Sequence, residues 1–137
     1  MFGNGLLNVV KIRRMVLVLA LTGASLAVQA DRKDSLQSYD YFYLEALRQQ
    51  DMGNLTAAFD LLCHARDLNP LAPEVYFQLA GYYVDMKNDS LARAYFEKAA
   101  ALDPDNTAYQ EKLGQLYVTQ KDYPDAIRAY ERLYDSN

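Results

Sequence analysis

The sequence has no tryptophan, one cysteine and one histidine. A single Cys cannot close an internal disulfide, so Cys63 is a free thiol or half of an intermolecular bridge. One Cys and one His fall short of the donors that a metal site of usual spacing gathers. The two stand side by side as Cys63-His64. Neighbouring residues on a helix point away from each other, so they form no nucleophile–base pair. Their counterparts one repeat later, Glu97 and Lys98, are surface types. No glycine-rich phosphate loop, nucleophile elbow or dinucleotide fingerprint occurs. The acids Asp103 and Asp105 fall in a turn, where helix capping accounts for them. The residues therefore supply no catalytic set, no metal site, no cofactor site and no apparent small-molecule substrate.

Long hydrophobic runs are scarce too. The one uncharged apolar stretch extends from Met15 to about Ala30, short of the ~20 predominantly apolar residues of a spanning helix. Lys11, Arg13 and Arg14 precede it, and "VQA" ends it before Asp31. A basic leader, an apolar run and a small-x-small end form the pattern of a cleavable export signal over residues 1–30. The expectation is an exported protein, periplasmic or attached to the cell envelope. The same run, left uncleaved, would serve as an N-terminal membrane anchor.

Basic charge is also short. The whole chain has 14 Lys+Arg against 18 Asp+Glu. All three leader basics would leave with the signal, and no acid would. The remainder then holds 11 Lys+Arg against 18 Asp+Glu, a net charge of −7. Such a surface repels phosphate backbones, so nucleic acid is not expected as a partner. It favours neutral or basic ligands.

What the chain does have is a period. "LLCHARDLNPLA" (61–72) and "YFEKAAALDPDN" (95–106) end alike, 34 residues apart. At that offset Ala46, Asp51, Met52, Asn54, Ala58, Ala65, Leu68 and Pro70 recur as Ala80, Asp85, Met86, Asn88, Ala92, Ala99, Leu102 and Pro104. Leu113, Tyr117, Val118, Lys121, Ala126 and Glu131 carry the series into a third copy. Apolar residues recur at three- and four-residue steps, as in Leu55, Ala58, Phe59, Leu62 and Ala65, with no sustained strand alternation.

The punctuation repeats with the pattern. Asn54, Asn88 and Asp122 fall just before each second helix, where a side-chain oxygen can accept from the first turn. Asp105 or Asn106 can cap a further helix. Pro73 and Pro124 stand where a missing N–H costs nothing, and Pro70 and Pro104 stop the second helices. The spacing predicts an all-α chain with helices near 38–52, 55–68, 74–86, 89–102, 107–119 and 123–135, after a polar linker at 31–38.

In these residues the chain resembles the tetratricopeptide repeat (TPR) family, whose period is 34. Repeats of 39–72, 73–106 and an incomplete 107–137 put small residues where the family puts them: Ala46, Ala80 and Gly114; Ala58, Ala92 and Ala126; Ala65 and Ala99. Leu133 is a less typical member of the last set. Large residues fall at Phe42 and Tyr76, at Leu62, Phe96 and Tyr130, and at Tyr83 and Tyr117. Leu79 and Leu113 fill space between units. The first copy departs with Glu45 and Gln49, and the third with Gln110.

The resemblance implies a right-handed α-solenoid of three helix–turn–helix units over residues 39–137. It also implies a concave groove, lined by the first helix of each unit, that holds a protein or peptide segment. The matching positions give Tyr43, Leu47, Gln50 and Asp51 from the first unit, with Asp40. The second gives Phe77, Gly81, Val84 and Asp85, with Glu74. The third gives Glu111, Gln115 and Val118, with Ala108 and Thr119. This set has no Lys or Arg, which suits an apolar segment carrying a basic residue. Some family members clamp a C-terminal carboxylate with Lys and Asn at these places. Tyr43 and Leu47 stand there instead, so that activity is expected to be absent. The function implied is a non-catalytic interaction scaffold. Two other readings remain: an assembly or targeting arm of a larger envelope protein, and self-association through an uncapped third unit bearing Ile127, Tyr130, Leu133 and Tyr134.

Overall fold

A computed structural model of the chain describes residues 31–135; the export signal expected over residues 1–30 lies outside the described residues. The chain divides into two units between Gln37 and Ser38. Residues 31–37 are helical, where the sequence suggested a linker. "DRKDSLQ" contains no proline or glycine to break a helix, and polarity alone does not prevent one.

The second unit is all helical, with no strand among the described residues. Helix α1 occupies residues 31–51. It is followed by α2 (Leu55–Leu68), α3 (Pro73–Asp85), α4 (Asp89–Leu102), α5 (Thr107–Thr119) and α6 (Tyr123–Asp135). The helices expected from the period are present; α1 starts at 31 rather than 38, and its end and both ends of α3 are shifted by a residue.

One turn is written three times. Gly53, Lys87 and Lys121, 34 residues apart, all have positive φ, at 79°, 58° and 61°. Each closes the first helix of its repeat with a six-to-one backbone bond: Asn54 N to Gln49 O at 2.9 Å, Asn88 N to Tyr83 O at 2.9 Å and Asp122 N to Tyr117 O at 2.8 Å. This is the left-handed helix ending that satisfies otherwise orphaned carbonyls. Only the first copy uses glycine, the residue that enters this region without strain.

The expected caps hold in part. Asn88 Oδ1 accepts from Leu91 N at 3.1 Å, and Asp122 Oδ1 accepts from Asp125 N at 3.4 Å. Asn54 makes no side-chain cap; its Nδ2 donates instead to Gln49 Oε1 at 2.8 Å. The later repeats carry Tyr83 and Tyr117 at the Gln49 position and offer no such competing acceptor. Asn106 likewise forms no side-chain cap, because its Nδ2 donates to Asp103 Oδ2 at 3.2 Å.

Small residues let the paired helices approach. Ala46, Ala58, Ala65, Ala80, Ala92 and Ala99 are wholly buried. A Cβ on Gly114 would stand 2.9 Å from the Tyr130 ring, so the ring lies directly over the bare backbone. Two apolar clusters result. The first gathers Tyr39, Ala46, Leu62, Val75 and Leu79 across α1, α2 and α3. The second gathers Phe96, Tyr109, Leu113, Leu116 and Tyr117 across α4 and α5, with Ala126 and Ala129 of α6. Tyr95 packs against both. Each repeat buries its neighbour's apolar side, as a stacked solenoid must.

Arg93 ties the second repeat to the third. Its guanidinium donates to Asp122 Oδ2 at 2.7 Å and Asp125 Oδ2 at 2.8 Å, and within α4 to Glu97 Oε1 at 2.9 Å. It also lies 4.7 Å above the Tyr117 ring, whose hydroxyl donates to Glu97 Oε1 at 2.8 Å.

Candidate groove between the first helices

Helices α1, α3 and α5 present the face expected to hold a partner. A cavity of about 560 Å³ opens on it. Of the eleven groove residues expected from the sequence, Gln50, Phe77, Gly81, Val84, Asp85 and Gln115 line it. Tyr43, Leu47, Asp51, Glu111 and Val118 do not line this cavity. Tyr43 stacks on Tyr39 with ring centroids 5.8 Å apart. Tyr39 in turn donates its hydroxyl to Glu74. Burial and the Glu74 carboxylate push the Tyr39 phenol far above its ordinary range.

The floor of the cavity is aromatic. Phe77 meets Phe96 edge-on at 5.5 Å and Tyr109 at 4.8 Å. Phe77 therefore serves both groove and core, which is why truncating it would confuse binding with folding. Gly81 sits in α3 with nothing within 4 Å of the point where a Cβ would stand. A side chain there would enter the cavity.

Four lining residues outside the expected set change its chemistry. Tyr82 and Leu116 belong to the two buried clusters, yet both reach the cavity. The Tyr82 hydroxyl is buried and has no hydrogen-bond partner among the described residues. Desolvation first, then Asp85, raises its pKa, so it stays a neutral phenol. A buried polar group without a partner costs on the order of 1–3 kcal/mol. Lys87 and Lys112 are the other two, and they bring positive charge to this cavity that the family positions do not include. Lys87 comes from the left-handed turn after α3, and Lys112 from a flank of α5 that the family positions omit. The acids Asp85 and Asp89 line the same space, so the wall carries both signs.

Cys63 and His64 stand in different surroundings. His64 is exposed, and its ring stands edge-on to Phe42 at 4.3 Å. Cys63 is half-buried against the first cluster. Burial raises its thiol pKa, which disfavours the nucleophilic thiolate. Among the described residues no group of three His, Cys, Asp or Glu could hold a metal ion. No described helix is long and apolar enough to cross a membrane.

Three stacked helix–turn–helix units with an open groove along their first helices define a helical-repeat solenoid. The tetratricopeptide repeat family model matches residues 43–107 and 82–137, and the chain belongs to that family. Solved structures agree in fold. MamA is 19% identical with a TM-score of 0.65, covering 72% of this chain. This chain spans little more than half of MamA, 57%. The first TPR of Spaghetti (RPAP3), solved bound to an HSP90 peptide, is 20% identical over 74% of this chain and 80% of its own, with a TM-score of 0.65. The Sgt2 TPR domain from Aspergillus fumigatus is 23% identical over 72% of this chain and 65% of its own, with a TM-score of 0.61. No curated protein sequence matches the chain.

Proposed function

We propose that this chain is a non-catalytic interaction scaffold that grips a protein segment in the groove between α3 and α5. The open cavity, with its Phe77 floor and a wall that carries both signs of charge, carries the reading. An apolar side chain of the bound segment rests among Phe77, Val84 and Leu116. Asp85 and Asp89 suit a basic residue beside that anchor, in keeping with the acidic balance of the chain. Lys87 and Lys112 set the other edge and admit an acidic or polar flank. The relative solved with an HSP90 peptide is a repeat domain of the same fold that holds a peptide. The leader pattern at residues 1–30 supports work outside the cytoplasm, in the periplasm or at the envelope.

Gly81→Gln tests the groove. The side chain enters open space, and replacing a helix-interior glycine gains about 0.5–1 kcal/mol of helix propensity. Peptides selected from a random library on the wild-type chain should lose binding to the variant at least tenfold, with Tm unchanged or raised. Undiminished binding to a folded Gly81→Gln variant would overturn the groove.

A second reading, self-association, rests on α6. Tyr123, Ile127, Tyr130 and Tyr134 recur at helical spacing, and all four are exposed. Ile127→Glu should then halve the mass measured by light scattering. A wild-type chain that is already monomeric would dismiss it.

A further inference from the structure

The 34-residue register aligns two seams on the side away from the groove, where second helices meet over a first helix. The seam between α2 and α4 is filled. Tyr76 and Tyr95 lie there with ring centroids 5.5 Å apart. The Tyr76 hydroxyl donates to Pro70 O at 3.0 Å, and Arg66 donates to the Tyr95 hydroxyl at 2.8 Å. Lys98 stands 5.9 Å from the Tyr76 ring.

The seam between α4 and α6 is not filled by the described residues. Gln110 stands at the Tyr76 position and Ala129 at the Tyr95 position. Two rings are gone, and cavities of about 570 and 180 Å³ stand beside each other, both bordered by Leu113, Tyr117 and Arg132. Gln110 keeps a remnant of the tyrosine contact, its Nε2 donating to Pro104 O at 3.5 Å. Its Oε1 is buried, in a residue only 3% exposed, with no partner among the described residues. Arg132 holds the register of Lys98, the residue that covers the ring in the filled seam.

We infer that the seam between α4 and α6 is a second recognition site, taking a tyrosine side chain from a partner protein. The guest ring would occupy the space that Tyr76 and Tyr95 fill one repeat earlier. Its hydroxyl would donate to Gln110 Oε1 once the amide rotates from its buried position, where that oxygen has no partner. Arg132 would lie over its face, a cation–π arrangement that the protein already uses at Tyr76. The filled seam is the internal template for the empty one, and the orphaned acceptor gives the direction of the hydrogen bond. Glu97, Asp105 and Asp135 at the rim would favour basic residues beside that tyrosine.

The test titrates the full chain with p-cresol, toluene, N-acetyltyrosinamide and a basic hexapeptide containing one tyrosine, following the Ala129 methyl and Gln110 side-chain amide resonances. Saturable shifts at both are expected with p-cresol, with toluene at least fivefold weaker. The hexapeptide should bind at least tenfold more tightly than N-acetyltyrosinamide. Ala129→Tyr should abolish binding by refilling the seam. Gln110→Leu, which keeps the space and removes the acceptor, should make p-cresol and toluene equal. Gly81→Gln should change none of this. Absence of saturable shifts, equal wild-type affinity for p-cresol and toluene, or unchanged binding to a folded Ala129→Tyr variant would overturn the site. A peptide no tighter than the free amide would overturn the protein partner in favour of a small phenol. A chain that dimerises through the seam, reverting to monomer with Tyr134→Ala, would overturn it in favour of a second copy.

Discussion

Leu79→Ala cuts the seam between the first two repeats. Leu79 is wholly buried on α3 and belongs to the cluster shared by α1, α2 and α3. Truncation removes three carbons at about 0.8 kcal/mol each, or about 2.4 kcal/mol. The rigid alanines that share its cluster, Ala46, Ala58 and Ala65, cannot swing in to close the hole, so a cavity term brings the loss to about 3 kcal/mol. A domain of this size has about 5–15 kcal/mol in all. The loss should also be local. The second cluster, centred on Phe96, Leu113 and Tyr117, does not include Leu79. In a stack where each repeat touches only its neighbours, damage to one seam loosens the helices on that side first. Guanidinium unfolding followed by circular dichroism gives the size, and hydrogen exchange gives the place. Protection should fall in α1, α2 and the start of α3 while α5 and α6 keep most of theirs. A loss below about 1 kcal/mol, well under the transfer term alone, or an even fall in protection across all six helices, would refute the reasoning.

Three further outcomes follow from the charged and polar groups. Arg93→Met should cost about 1 kcal/mol, a figure discounted for the partial exposure of the guanidinium, and the loss should shrink in high salt. Denaturation of the variant beside an Asp122→Asn/Asp125→Asn double variant would show whether the two losses overlap, as one shared network requires. Hydrogen bonds from Arg48 and then Gln49 pull the Glu45 carboxyl down to about 2. A depressed folded-state pKa gives stability that is present above the unfolded value, near 4.5, and is lost as pH falls through about 2. The Tm difference between wild type and Glu45→Gln should therefore narrow as pH falls from roughly 5 to roughly 2. Cys63, raised by burial, should react with iodoacetamide more slowly than free cysteine at mildly alkaline pH, and reach the free rate once the chain is unfolded.

The fold was legible because close approach restricts residue choice. Ala58 and Ala92 sit where two backbones meet, and nothing larger fits without displacing a helix. Their recurrence with Pro70 and Pro104 makes the repeat visible in the amino-acid order alone. Capping was less legible, because it depends on which acceptor wins locally. Asn54 and Asn88 are the same residue at the same phase, and only a neighbouring Gln49 separates their behaviour. The groove was half legible. Positions on one helix face, such as Phe77, Gly81 and Val84, follow from helical geometry. Lys87 reaches the cavity from a turn and Lys112 from a helix flank, and a face-by-face reading does not include them. The orphaned oxygens of Tyr82 and Gln110 could not be read at all. Tyrosine and glutamine at those positions say nothing about whether a partner atom stands nearby in space.

The most direct test of the central claim places a photo-crosslinking residue at Gln115, in the groove wall, and separately at Asp60, exposed on α2. A library-selected peptide, irradiated with each protein, should attach at Gln115 and not at Asp60. Attachment at Asp60 with none at Gln115, from two equally folded proteins, would contradict the account.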